Sequence, residues 1–132
     1  MPHSKRKQLI VIFIISLFLV SCASKIVNFA SPIKINEGRF KLRGELSESS
    51  YQAIVDHLSI HRGSQVIYVV DSRGGYTDDI VKAMDAIHEH GDVVWMVPDG
   101  NVCYSACAVL GLSASKIDGV LEFHSVYRQY DK

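Results

Sequence analysis

Two uninterrupted apolar runs, Val66–Val70 and Val93–Val97, stand on either side of a segment whose apolar residues recur at helical spacing. A strand with no polar face has to be covered on both sides, as in a parallel sheet, and parallel neighbours need a crossover of a dozen or more residues, usually a helix. Ile80, Val81, Met84 and Ile87 supply one face of that helix. Thr77 is placed to cap it, Asp78 and Asp79 lie at the end the helix dipole favours for negative charge, and Gly91 is placed to stop it.

The flanking segments extend the same alternation. Phe40–Leu46 alternates apolar with polar and reads as a strand with one wet face, interrupted by Gly44. Ser47 is then a cap for a helix bearing Tyr51, Ile54, Val55 and Leu58 on one face, with Leu46 and Tyr51 as a hydrophobic staple and Gly63 at its end. Downstream, Pro98–Gly100 is a turn, Ser105–Ala114 is small and apolar enough for a buried helix, and Val120–Phe123 reads as a last short strand. Strands and helices in strict alternation predict a single α/β domain with a mainly parallel sheet and right-handed βαβ crossovers.

The first two dozen residues do not belong to that domain. Lys5, Arg6 and Lys7 precede an apolar run from Leu9 to Val20 broken by Ser16, the pattern of a secretion signal. The run is short of the roughly 20 residues that cross a bilayer. It ends in Leu19-Val20-Ser21-Cys22, which resembles the lipobox of bacterial lipoproteins. That resemblance implies cleavage before Cys22, lipidation of its thiol, and a place in the cell envelope facing the periplasm or exterior. Ala23 after the cysteine, with no aspartate there, points to the outer rather than the inner membrane where two are present. An uncleaved anchor is the alternative, and it too tethers the domain to a membrane. The division expected is thus a signal peptide over 1–21, a lipidated tether over 22–33 and the α/β domain over 34–132. Loss of the three signal-peptide cations lowers the formal net charge from zero to −3, which leaves no basic footprint for nucleic acid.

In parallel sheets, sites collect at the carboxyl ends of strands. The Ser72-Arg73-Gly74-Gly75 turn and the Cys103-Tyr104-Ser105-Ala106-Cys107 segment both follow such ends, so one crevice can hold both. Ser105 at the start of a helix is a candidate nucleophile, and the free N–H of Ala106 a candidate oxyanion donor. Gly75 is a candidate second donor, because glycine lets backbone approach a substrate closely, and Gly74 belongs to the same anion-binding turn. His124, closing the last strand, is the candidate base. Each residue alone has an ordinary structural reading as a cap, a turn or a surface histidine; their placement on one sheet edge favours chemistry.

Taken in order, these motifs resemble those of the Clp protease proteolytic-subunit and crotonase-like superfamily, in particular periplasmic-type members with a C-x-S-A-C serine motif. The resemblance spans about Phe40 to Ser125. It implies Ser105 as nucleophile, His124 as general base, and Gly75 and Ala106 as the oxyanion hole, acting on a peptide or ester carbonyl without a cofactor. The family places its orienting acid well beyond the histidine, whereas Asp131 is the only acid after His124 in this chain. Asp71 and Asp118 are the spatial substitutes to consider. A non-catalytic or truncated binding module of the same fold is the second expectation, and a homo-oligomer is left open.

Cys103 and Cys107 flank Ser105 at a spacing of four. In an oxidising compartment they are candidates for a disulfide, provided Cys103 precedes regular helix. Two buried thiols are the equal alternative. A metal site is not expected, because His88 and His90, two apart on a helix, point in different directions.

Overall fold

The computed structural model describes residues 28–124 as an α/β domain of five strands and three helices. In chain order these are β1 (Ile33–Asn36), β2 (Arg39–Arg43), α1 (Glu48–Ile60), β3 (Val66–Asp71), α2 (Ile80–His90), β4 (Val93–Met96), α3 (Ala106–Gly111) and β5 (Lys116–Asp118). The sheet order is β1-β2-β3-β4-β5; the β1–β2 pair is antiparallel and the other three pairs are parallel. The lipidation candidate Cys22, the signal sequence and Asp131 lie outside the described residues.

All three helices contribute to one core. Register aligns Phe40, Tyr68 and Trp95, and beside them Leu42 and Val70, on the face that meets Tyr51, Ile54 and Leu58 of α1, Ala83 and Ile87 of α2, and Leu110 of α3. Trp95, Tyr51, Tyr68, Leu42, Leu46, Ile54 and Ile87 are fully buried. Each stabilises the fold by about 1.5–3 kcal/mol in area terms. The opposite face carries Ile67, Val69, Val94 and Met96 between the cationic β2 side chains Arg39, Lys41 and Arg43 and the β5 residues Lys116 and Asp118. The expectation of burial on both faces is therefore corrected for β3, where full burial alternates with partial burial, and holds over Val93–Trp95 of β4.

Local differences from the sequence reading have local causes. The domain begins before residue 34. Ala30 is buried and donates its N–H to the Glu45 carbonyl at 2.8 Å, and Ile33 already pairs with Lys41 in β1. Strand β2 stops at Arg43, and Gly44 turns the chain so that Leu46 keeps only an isolated bridge to Gly75. At the start of α1 the Ser47 N–H donates to Ser50 Oγ at 3.2 Å. Helix α2 starts at Ile80 with Asp79, not Thr77, at the cap, because residues 77–79 form a separate turn closed by Ile80 N–H to Thr77 carbonyl. Its inward face holds Ala83 where Val81 was expected; Val81 is exposed. Gly91 ends α2 as anticipated. The last strand is Lys116–Asp118, and 120–123 contributes only the Tyr104–Glu122 bridge.

The end of the sheet away from the Gly74–Gly75 turn holds a histidine cluster. His57 Nδ1 lies 2.7 Å from the Tyr68 hydroxyl, and its ring packs edge-on against Phe40 and beside His61. His90 Nδ1 accepts the Asp92 N–H, and its Nε2–H donates to the His61 carbonyl. His57 Nε2 is buried without a partner among the described residues. Burial, then the neighbouring His61 and His90, push the His57 pKa down from 6.5 to about 4. An unfolded chain thus takes up a proton that the folded one refuses. Stability is full above pH 6.5 and falls as the pH drops towards about 4. With the ring's partial exposure discounted, the expected loss between about pH 7.5 and pH 5 is about 1 kcal/mol. Urea denaturation at the two pH values should show this loss in the wild type and a flatter dependence in His57→Gln. An equal slope in the two proteins would remove His57 as its source.

Candidate functional site

The turn after β3 is built by Ser72. Its buried hydroxyl donates to the Gly44 carbonyl at 2.6 Å and accepts the Gly74 N–H at 3.1 Å, which fixes the turn against the break at the end of β2. Leu46 then accepts from Tyr76 N–H and donates to the Gly74 carbonyl, both at 2.9 Å. Because those bonds use the residues on either side of Gly75, the N–H and C=O of Gly75 itself face away from Leu46, as alternate groups of a parallel bridge must. Gly75 has φ +152, and an added Cβ would lie 2.1 Å from the Leu46 carbonyl oxygen. Only glycine fits this approach.

The second turn comes from the chain leaving β4. Ser72 N–H donates to the Val102 carbonyl at 2.8 Å, and Tyr104 N–H donates to the Ser72 carbonyl at 3.0 Å, so this segment continues beside the Ser72–Gly75 turn. A Cβ on Gly74 would meet the Tyr104 carbonyl at 2.8 Å, Ser105 Cβ at 3.0 Å and the Ala106 nitrogen at 3.2 Å. The structure therefore brings Gly74, Gly75, Ser105 and Ala106 together at one edge of the sheet.

Ser105 is the cap of α3 and has φ 54 and ψ −117. Positive φ in a non-glycine residue stores about 1–3 kcal/mol and persists only where neighbours over-determine it. Here Ser105 N–H donates to the Glu122 carbonyl at 3.0 Å, Cys107 N–H to the Tyr104 carbonyl at 3.1 Å and Val109 N–H to the Ser105 carbonyl at 3.1 Å. Such a strained turn from strand to helix thrusts a serine hydroxyl outward. Ala106 N–H has no backbone partner among the described residues. Because α3 has only six residues, that individual N–H matters more here than a helix dipole.

Cys103 and Cys107 form a disulfide across the turn, with Cα atoms 5.2 Å apart. Cys103 precedes α3, as the bond requires, and both cysteines are buried. Among the described residues there is no group of three or more His, Cys, Asp or Glu side chains able to hold a metal. Comparison with protein-family models, curated proteins and solved structures finds no match.

His124 lies close to the serine turn without bonding to it. Its exposed ring sits edge-on to Tyr104, centroids 5.9 Å apart, and makes no hydrogen bond to Ser105 Oγ or to a carboxylate among the described residues. Asp71 is not an acid for it. Its Oδ1 accepts the Val102 N–H at 3.1 Å and its Oδ2 lies 3.6 Å from Arg43 Nε. Asp118 sits on the edge strand β5 and makes no hydrogen bond to His124.

A cleft of about 630 Å³ borders the glycine turn, lined by Arg43, Glu45, Arg73, Gly75 and Val102 among others. Two supporting residues escape a sequence reading. Ser72 has a weak signal, a hydroxyl residue two before a turn glycine. Tyr51 looks like an ordinary core aromatic, yet its hydroxyl donates to the Tyr76 carbonyl and so ties α1 to the turn. Burial, then Asp78, push the Tyr51 pKa up to about 12, which keeps that donor protonated.

Proposed function

We propose that this domain is a serine hydrolase of the bacterial cell envelope with a Clp-protease/crotonase-like fold, acting on a peptide or ester carbonyl. The observation that carries the reading is the strained backbone of Ser105 beside the Gly74–Gly75 turn, with the Ala106 N–H unengaged by backbone. Ser105 Oγ attacks the carbonyl carbon, and His124 takes the hydroxyl proton and returns it to the leaving group. The N–H groups of Gly75 and Ala106 receive the oxyanion, and Gly74 leaves the substrate backbone room to approach. No cofactor enters this chemistry. His124 has to move from its place beside Tyr104 to reach Oγ, and catalytic hydrogen bonds are often long before substrate closes the site. Cys22 would carry the lipid that holds the domain at the membrane surface, with the outer membrane favoured where there are two.

A second reading, a non-catalytic module that binds a peptide or protein in the same crevice, is favoured by the lack of a Ser105–His124 hydrogen bond and of a described acid on His124. A fluorophosphonate probe separates the two. Hydrolase chemistry predicts covalent labelling of the wild type, mapped to Ser105 by mass spectrometry and absent from Ser105→Ala. A folded wild type that stays unlabelled would support the binding module.

A further inference from the structure

We infer that the Cys103–Cys107 disulfide is the positioning device for Ser105, so that the nucleophile's turn is set only in oxidised protein. The inference rests on Ser105 being the nucleophile. The bond brackets Ser105 symmetrically, two residues to either side. Cys103 and Cys107 are 1% and 0% exposed, whereas Ser105 is partly exposed. Trp95, fully buried in β4, donates its indole N–H to Cys103 Sγ at 3.4 Å. Gly111 of α3 seats on the same indole so closely that a Cβ there would lie 2.8 Å from it. The disulfide thus joins a rigid core anchor to the first turn of α3, with the strained residue suspended between.

The covalent link adds to the backbone bonds that hold the turn. Of the bonds that fix it, Ser105 N–H to Glu122 belongs to the isolated bridge between Tyr104 and Glu122, beyond the end of β5. Reduction would replace the covalent link by a non-bonded contact, so that the two sulfurs have to move apart. With Trp95 and Gly111 closing one side, that displacement goes into residues 103–107, where Ser105 at φ 54 is the residue with strain to release. Formation of the bond is a two-electron exchange. One cysteine thiolate attacks a disulfide donor to give a mixed disulfide, the other displaces the donor, and the two protons lost by the cysteines pass to the donor, which leaves as its dithiol. A dithiol reductant reverses each step and restores two thiols. Burial of both sulfurs means that reduction requires the turn, or the fold, to open first.

The test uses oxidised protein, wild type unfolded and refolded in excess dithiothreitol, and Cys103→Ser/Cys107→Ser. Fluorophosphonate labelling rate, far-UV circular dichroism, fluorescence of the single tryptophan and amide hydrogen exchange are measured on each. The expected result is labelling slower by about tenfold or more in both disulfide-free forms, with unchanged secondary structure. Trp95 fluorescence should rise on loss of the contacting disulfide. Equal labelling rates in folded disulfide-free protein would overturn the inference, as would failure of both disulfide-free forms to fold, which would make the bond a requirement of the whole domain. If the oxidised protein itself is not labelled, the nucleophile reading fails, and exchange decides the positioning claim separately. Faster exchange confined to the Ser105–Cys107 amides upholds it, and unchanged exchange there defeats it.

Discussion

Replacing Ser105 with glycine is expected to raise stability while removing the proposed hydrolytic activity. The serine sits at φ 54 and ψ −117, a conformation glycine adopts without cost. Relief of about 1–3 kcal/mol of strain outweighs the roughly 0.5–1 kcal/mol of extra freedom that glycine gives the unfolded chain. The net gain is about 1 kcal/mol, or a rise in Tm of about 4–8 °C for a domain of this size. Turnover of an activated ester should fall by about 10³-fold or more, because only binding and the oxyanion donors remain. Thermal melts and ester kinetics on the same preparation check both halves. A glycine variant that melts below the wild type would mean that the turn is not strained, and undiminished turnover would mean that another group attacks.

Gly75→Ala carries the largest expected loss of stability. Its new methyl would lie 2.1 Å from the Leu46 carbonyl oxygen and 2.8 Å from the Leu46 nitrogen. Neither atom can retreat: Leu46 is fully buried, and its N–H and C=O are both engaged by the turn itself. The bridge must break or α1 must shift, at a cost of about 3 kcal/mol or more. Gly63→Ala is the control, since it also has positive φ but no atom within 4 Å of its added methyl. There the cost should be about 1 kcal/mol. Urea denaturation of the pair gives the comparison, and equal losses would show that the Leu46 contact is not what demands glycine at 75.

The parts of this fold legible in the sequence are those whose own residues report their burial. Val66–Val70 and Val93–Val97 announce strands because no polar side chain interrupts them, and Gly91 announces a stop because it alone tolerates the left-handed cap. β1 goes unmarked in the sequence, where the expected boundary between tether and domain falls after its first residue, because all four of its residues are exposed. It is a strand through pairing with β2, a relation that leaves no mark on composition. β5 is missed for the same reason, as an exposed edge strand of three residues. At the site, topology placed Ser105 and Gly75 on one edge because strand ends are fixed by the alternation. It could not turn the His124 ring, choose between disulfide and thiols at Cys103 and Cys107, or reveal that Ser72 and Tyr51 brace the glycine turn, since these depend on side-chain direction.

The sequential strand order sets a temporal constraint. Each parallel pair joins neighbours in the chain, so the sheet can assemble by accretion from β2 onward, with each step closing only a short loop. The Ser105 turn is stitched to Ser72 on one side and to Glu122 on the other, so it takes shape only after both β3 and the segment beyond β5 are in place. A half-assembled chain therefore carries the serine but not the geometry that would make it reactive.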